Sequence, residues 1–316
     1  MKEALIVGIT GQDGTLLAQL LRQRSIPYLG LNTRGIIDAT GQSLGPLDLR
    51  NAGAVAALIK DRRPSHVFYL AAHHHSAQDK LETGQEELWK TSMEVNVLGL
   101  VHVLEAIRLH APEVRLFYAS SSHVFGSPAD FPQTEATPLA PENVYGITKV
   151  AGHHACRYYR DNYGQFASVG ILYNHESIHR SPKFLSKKII LGALAIKEGR
   201  QDKLLLGDLS AEVDWGYAPD YVDAMVRILE ASPADDFIIA SGQLHTVRDF
   251  VRIVFTELGL EEGKYVEENP ALIRKQKNRL AGETRHLRTV TGWKLSVTFA
   301  EMVRELVRQT LAARHA

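Results

Sequence analysis

Cysteine is almost missing: Cys156 is the one such residue among 316. That excludes an internal disulfide and sets the expectation of a reducing, cytoplasmic setting. The plain reading of Cys156 is a small buried hydrophobe. No charge sign is in excess, with Lys+Arg and Asp+Glu both at 36. Neither a nucleic-acid partner nor a membrane surface is expected of such a balance. No apolar run approaches the roughly 20 residues of a membrane span, and no signal-peptide pattern precedes the first apolar run at Ala4. Repeats and low-complexity linkers are lacking as well. What remains is a 45% hydrophobic chain, long enough for one large domain or two modest ones.

The first half alternates short apolar runs with amphipathic stretches. ALIV (4–7), YLGLN (28–32), HVFYLAA (66–72), RLFYAS (115–120) and ASVGIL (167–172) read as strands. Leu16, Leu17, Leu20 and Leu21 recur at helical spacing, as do Val97, Leu100, Val101, Leu104 and Ile107 within a long helix expected over 91–110. A further helix is expected over 145–163. Near-continuous apolar strands alternating with helices predict an α/β Rossmann-like fold with a doubly wound parallel sheet. The second half reads as a polar, turn-rich stretch at 174–184 and a helix at 185–198. A loop then runs into a helix over 214–229, followed by a strand at 236–242 and a helix at 246–259. Residues 1–172 are expected to form the cofactor domain, with about 214–240 returning to it, and 173–316 mainly a smaller substrate-binding lobe.

Gly8, Gly11 and Gly14 sit between the first strand and the first helix. Glycines there permit a tight turn and a close backbone approach to a pyrophosphate, and the helix N-terminus offers unpaired N–H groups. The G-x-x-G-x-x-G spacing resembles that of short-chain dehydrogenase/reductases. Gln12 and Asp13 inside the loop, and Ala71 at the end of the 66–72 strand, count with the cofactor contacts. An NAD enzyme carries an acid at the end of the second strand. Here the chain reads Leu31-Asn32-Thr33-Arg34, and Arg34 can pair a 2′-phosphate bidentately. NADP is therefore expected over NAD, with a solvated surface arginine as the plain alternative. Asp48 and Leu49, after an expected third strand, fall where adenine would lie.

Tyr145 and Lys149 form a Tyr-x-x-x-Lys pair, on one face of a helix. A nearby ammonium favours phenolate, making Tyr145 a base for a hydroxyl proton. Lys149 would also hold the nicotinamide ribose. Ser121, at a strand end 24 residues earlier, can hydrogen-bond the same substrate oxygen, although serines there also cap strands. His73, His74 and His75 are adjacent, but alternate side chains of an extended chain cannot all face one ion. No metal site is expected, and His75 is read as a substrate or cofactor contact.

GITGQDG (8–14), GILYNHES (170–177), DWGYAPDYV (214–222) and FIIASGQLHTVRDFV (237–251) resemble extended short-chain dehydrogenase/reductases acting on nucleotide sugars, above all the GDP-mannose 4,6-dehydratase family. The resemblance implies NADP, a nucleotide-diphosphate sugar as substrate, and a homodimer through helices near 91–110 and 145–163, or a homotetramer. It implies oxidation at sugar C4, loss of the C5 proton and the C6 hydroxyl, and return of hydride to C6. Asn174, Glu176, Lys188 and Arg274 match the family's substrate residues.

Four positions depart. The family's strand-end Ser-Thr-Ser-Glu becomes Ser120-Ser121-Ser122-His123. Serine for threonine keeps the hydroxyl, whereas His123 replaces the carboxylate of the elimination. Imidazole titrates near ~6.5, so His123 is an acid-base candidate, with packing against substrate as its alternative. Val213 stands for an arginine and Lys277 for an acid, so the nucleotide or the sugar is open to change. The rival functions are a reductase or epimerase without water loss, and a non-catalytic NADP-binding protein.

Overall fold

A computed structural model describes residues 1–74, 84–272 and 279–315. His75, Arg274 and Lys277 lie outside the described residues. The strands are β1 (Ala4–Val7), β2 (Tyr28–Asn32), β3 (Gly35–Asp38), β4 (Ser43–Gly45), β5 (His66–Tyr69), β6 (Arg115–Ser121), β7 (Ala167–Leu172), β8 (Asn174–Glu176), β9 (Leu204–Leu206), β10 (Glu212–Tyr217), β11 (Asp236–Ile239), β12 (Leu244–Thr246) and β13 (Val266–Glu268). The helices are α1 (Gln12–Gln23), α2 (Ala52–Arg62), α3 (Gln85–Met93), α4 (Gly99–His110), α5 (Val144–Tyr163), α6 (Leu185–Lys197), α7 (Ala218–Glu230), α8 (Val247–Leu258), α9 (Glu262–Tyr265), α10 (Arg285–Thr291) and α11 (Phe299–His315).

Eight strands make one sheet in the order β11-β7-β6-β5-β1-β2-β3-β4. From β11 to β2 all neighbours are parallel. Side-chain alternation divides each strand between two cores. Leu5, Val7, Val67, Tyr69, Leu116 and Tyr118 face α2, α4 and α5. Ala4, Ile6, Phe68, Phe117 and Ala119 face α1, α7 and the Trp293 region. Covering on both faces is why these strands read as continuous apolar runs. A third core joins α6, α8 and α11 to β9 and β10.

Three expectations need correction. The third strand expected before Asp48 is an antiparallel hairpin, β3 with β4, on the edge beyond β2. DWGY is not a loop: it is most of β10, paired parallel to β8 and antiparallel to β12. Its Asp214 carboxylate is buried and accepts from the backbone of Ser241, Gly242 and Gly282, a role that local sequence does not display. The helix expected at 91–110 begins at Gln85 and passes through a π-helical turn, Glu94–Leu98, before continuing as α4. That turn frees the Val95 carbonyl, which accepts from the Tyr69 hydroxyl at 2.6 Å.

The chain leaves β1 toward β2 and later returns to β5 on the other side of β1. Ligands of such sheets bind where the strand order reverses, at the carboxyl ends of the strands. The glycine loop and Ala71 follow those ends, and Ser121 is the last residue of β6.

Candidate active site

The glycine loop is shaped by contact rather than by flexibility. Gly8 has φ +97°, and a Cβ there would lie 2.7 Å from the Ala71 nitrogen. A Cβ on Gly14 would meet the Gly8 carbonyl oxygen at 2.3 Å. Helix α1 starts at an N-cap, Gly11, whose lack of a side chain leaves the first turn's N–H groups without a side-chain cap. This cradle, open at a helix N-terminus, fits a dinucleotide pyrophosphate. Arg34 is exposed just beyond β2, its backbone N–H held by Asn32 Oδ1 at 2.8 Å. Asp48 is taken by Arg50 at 2.6 Å, and half-buried Leu49 offers its carbonyl to His102.

Gln12 and Asp13 turn out to be struts. Gln12 Nε2 donates to the His175 carbonyl at 3.0 Å, and its Oε1 accepts from Ser177 Oγ at 2.8 Å. Asp13 Oδ1 lies 2.9 Å from His175 Nε2. The glycine loop is thereby tied to the stretch that follows β7.

Ser121, Tyr145 and Lys149 come together as expected from their spacing. Ser121 is buried and its Oγ also accepts from the His123 N–H at 3.3 Å, so it caps the turn Ser122–Phe125 as well. Lys149 is 1% exposed. Its Nζ donates to the Ala119 carbonyl at 2.6 Å, beneath the rings of Tyr118 and Tyr145. Burial pushes the Lys149 ammonium down to about 7, against a smaller upward pull from Asp13. Burial likewise pushes the Tyr145 phenol up to about 12, reinforced by Asp13 and opposed by a hydrogen bond with Ser121 and the charge of Arg180. Burial thus works against the charged form of both groups, lowering the ammonium and raising the phenol.

Around Tyr145 stand two imidazoles. His74 meets its ring edge-on at 4.7 Å between centroids, and His123 does so at 5.7 Å. His123 Nδ1 lies 3.3 Å from Asn143 Nδ2. The strand-end position His123 therefore lies at the Tyr145 ring.

The residues expected to meet substrate are less gathered. Asn174 is exposed at the start of β8. Glu176 is buried, accepting from Ser186 Oγ at 2.5 Å and pairing with Arg180 at 3.3 Å. Lys188 is exposed on α6. Sequence reading missed Asn96, which is fully buried in the π-helical turn. Its amide bonds the N–H and carbonyl of His73 and the Thr148 hydroxyl, locking the loop after β5 onto α5. It missed Arg180, stacked on Phe184 at 3.6 Å, and Asn143. An asparagine inside an apolar helical stripe was the available signal for Asn96. Among the described residues no cluster of three metal-ligating side chains forms, and no helix is long and apolar enough to cross a membrane.

The family model for GDP-mannose 4,6 dehydratase matches residues 5–306. The chain belongs to the GDP-mannose 4,6-dehydratase family. "GDP-mannose 4,6 dehydratase 2" of Arabidopsis thaliana is 36% identical over 98% of this chain and 87% of its own length. "GDP-mannose 4,6-dehydratase" of Yersinia enterocolitica is 31% identical over 100% and 96%. The fold is shared with RMD from Pseudomonas aeruginosa, solved with NADPH, at a TM-score of 0.83 and 21% identity over 98% of both chains. It is shared also with dTDP-glucose 4,6-dehydratase from Bacillus anthracis, solved with NAD, at 0.82 and 20% over 100% and 98%. The GDP-mannose 4,6-dehydratase family is one of NADP-dependent nucleotide-sugar dehydratases, and this chain is an enzyme of that type within the extended short-chain dehydrogenase/reductases.

Proposed function

We propose that the chain acts on a nucleotide-diphosphate sugar of the GDP-mannose kind, starting with oxidation at C4. The observation that carries this reading is the convergence of Ser121, Tyr145 and Lys149 beside a glycine cradle. Gly8, Gly11 and Gly14 would receive the pyrophosphate of NADP, Arg34 its 2′-phosphate and Lys149 its nicotinamide ribose. The chemistry supplied by bound NADP is acceptance and return of hydride. Tyr145 Oη takes the proton of the C4 hydroxyl, and Ser121 Oγ hydrogen-bonds the same oxygen. His123 stands where the family places the residue that takes the C5 proton. A second reading, C4 chemistry without water loss, is favoured by the imidazole at that place.

The test is incubation with GDP-mannose and NADP⁺, weighing the sugar nucleotide by mass spectrometry and following exchange of a C4 deuterium. Conversion in the wild type, lowered at least about 100-fold in Tyr145→Phe, is expected. C4 cleavage that persists in Tyr145→Phe would overturn the role of Tyr145.

We further propose a homodimer in a cytoplasmic setting. The α3–α4 rod and α5 pack on one another and carry exposed Trp89, Leu98, Leu109, Tyr158 and Tyr163, the apolar surface that a helix-bundle interface would cover. Light scattering at micromolar concentration should give twice the chain mass.

A further inference from the structure

We infer that Asn143 is a positioning residue that fixes the proton of His123 on Nε2 and so restrains water loss. The inference rests on the C4-oxidation reading above. Asn143 is the N-cap of α5, and its Oδ1 accepts the Gly146 N–H at 2.8 Å. A backbone N–H is always a donor, so the amide oxygen is committed to it and the amide orientation is settled. Asn143 Nδ2 then points at His123 Nδ1 as a donor, at 3.3 Å. His123 Nδ1 must accept, and the neutral ring carries its proton on Nε2. The two elements are held in register by Gly146, where a Cβ would lie 2.7 Å from the His123 carbonyl oxygen.

An imidazole in this state can hydrogen-bond a sugar oxygen through Nε2–H, as a neutral histidine polarising a carbonyl does. It is a poor base, because its lone pair accepts from Asn143 and its other ring nitrogen already carries a proton. Loss of water needs a group to take the C5 proton while the C5–H electrons form the C5–C6 double bond and the C6 hydroxyl departs with a proton. The substitution Asn143→Asp keeps the cap, since Asp caps helices as well as Asn. It also replaces the amide donor with a carboxylate. His123 would then donate from Nδ1 to that carboxylate and expose the Nε2 lone pair, which takes the C5 proton and returns it to the departing hydroxyl.

Nitrogen-15 NMR of histidine-labelled protein reads the tautomer, with the His123 signals identified by their loss in His123→Gln. The wild type should show Nε2–H and Asn143→Asp should show Nδ1–H. Asn143→Ser, which keeps the cap without the amide, should lose the fixed preference. A wild-type Nδ1–H, or the same tautomer in Asn143→Asp, overturns the inference. With GDP-mannose and NADP⁺, water loss per C4–H cleavage should rise at least about tenfold in Asn143→Asp, a change in barrier of about 1.4 kcal/mol. An unchanged ratio in a variant whose tautomer has switched overturns the catalytic half. Failure of the wild type to cleave C4–H in GDP-mannose counts against the substrate reading alone, since the spectrum still decides the tautomer.

Discussion

His175 donates hydrogen bonds from both of its ring nitrogens, one of them to Asp13. Its Nδ1 lies 2.6 Å from the Tyr173 carbonyl and its Nε2 2.9 Å from Asp13 Oδ1, and neither acceptor can donate in return. Two donated N–H groups mean an imidazolium. Burial pulls the His175 ring down, but the charge and hydrogen bond of Asp13 pull it up further, leaving it above its ordinary value. Burial pushes Asp13 up, and His175, helped by Gln12 and Arg180, more than offsets it, leaving the carboxyl below its ordinary value. The imidazolium also lies flat on Tyr221, at 4.5 Å.

The pair makes stability depend on pH at both ends. The His175 contribution is complete below the unfolded value of 6.5 and is lost as pH rises through the raised folded value. The Asp13 contribution is complete above 3.8 and is lost as pH falls through the lowered folded value. In urea unfolding, the stability gap between wild type and His175→Phe should shrink as pH rises from about 6 to about 9. A gap constant with pH would rule out a charged His175.

Lys149 is a stability cost as a buried ammonium. Its folded value of about 7 lies below the unfolded 10.5, so between these the unfolded chain binds more protons and stability rises with pH. Below about pH 7 the full cost of the buried ammonium is present. Lys149→Met should unfold at higher denaturant at about pH 6.5, by about 1 kcal/mol or more, while losing C4 activity. A Lys149→Met variant less stable than wild type would sink this account.

Gly14→Ala should remove cofactor binding with the sheet intact. The new methyl would press on the Gly8 oxygen and on Ile9 Cα at 2.6 Å, both backbone, which has no rotamer to yield. Calorimetric titration with NADP⁺ should show affinity at least about tenfold weaker, with the wild-type far-ultraviolet circular dichroism retained. Wild-type affinity in Gly14→Ala would contradict the cradle.

Arg34→Ala should weaken NADP⁺ about tenfold or more, the scale of a hydrogen bond to a charged group, and leave NAD⁺ affinity unchanged. Equal losses for both cofactors would place Arg34 away from the 2′-phosphate.

What the sequence disclosed was local. The glycine loop is contiguous, Tyr145 and Lys149 are one helical turn apart, and Ser121 ends an apolar strand, so short-range rules of turn, helix and strand place them. The strands of the large sheet were legible because both faces are buried. The rest depends on distant partners. Asn96 acts by joining His73 to Thr148, 52 residues away from it. Asp214 organises backbone at Ser241, Gly242 and Gly282, and β10 becomes a strand only because β8 and β12 flank it. His123 was identified as the altered position, but its proton is set by Asn143, whose capping role needed coordinates to see.

The π-helical turn at Glu94–Leu98 works as a phase shifter in the α3–α4 rod. One inserted residue rotates everything on its N-terminal side by about 100° relative to plain α-helical winding. Ser92, upstream, meets His73 Nδ1 at 3.2 Å, while downstream Leu100 and Leu104 fill the sheet-facing core. Deleting one residue within the turn would straighten the winding and swing Ser92 and Trp89 to other bearings at a stroke. The wall of the active site and the outer face of the rod are thus set by the same residue count, so an indel there would act on catalysis and association together.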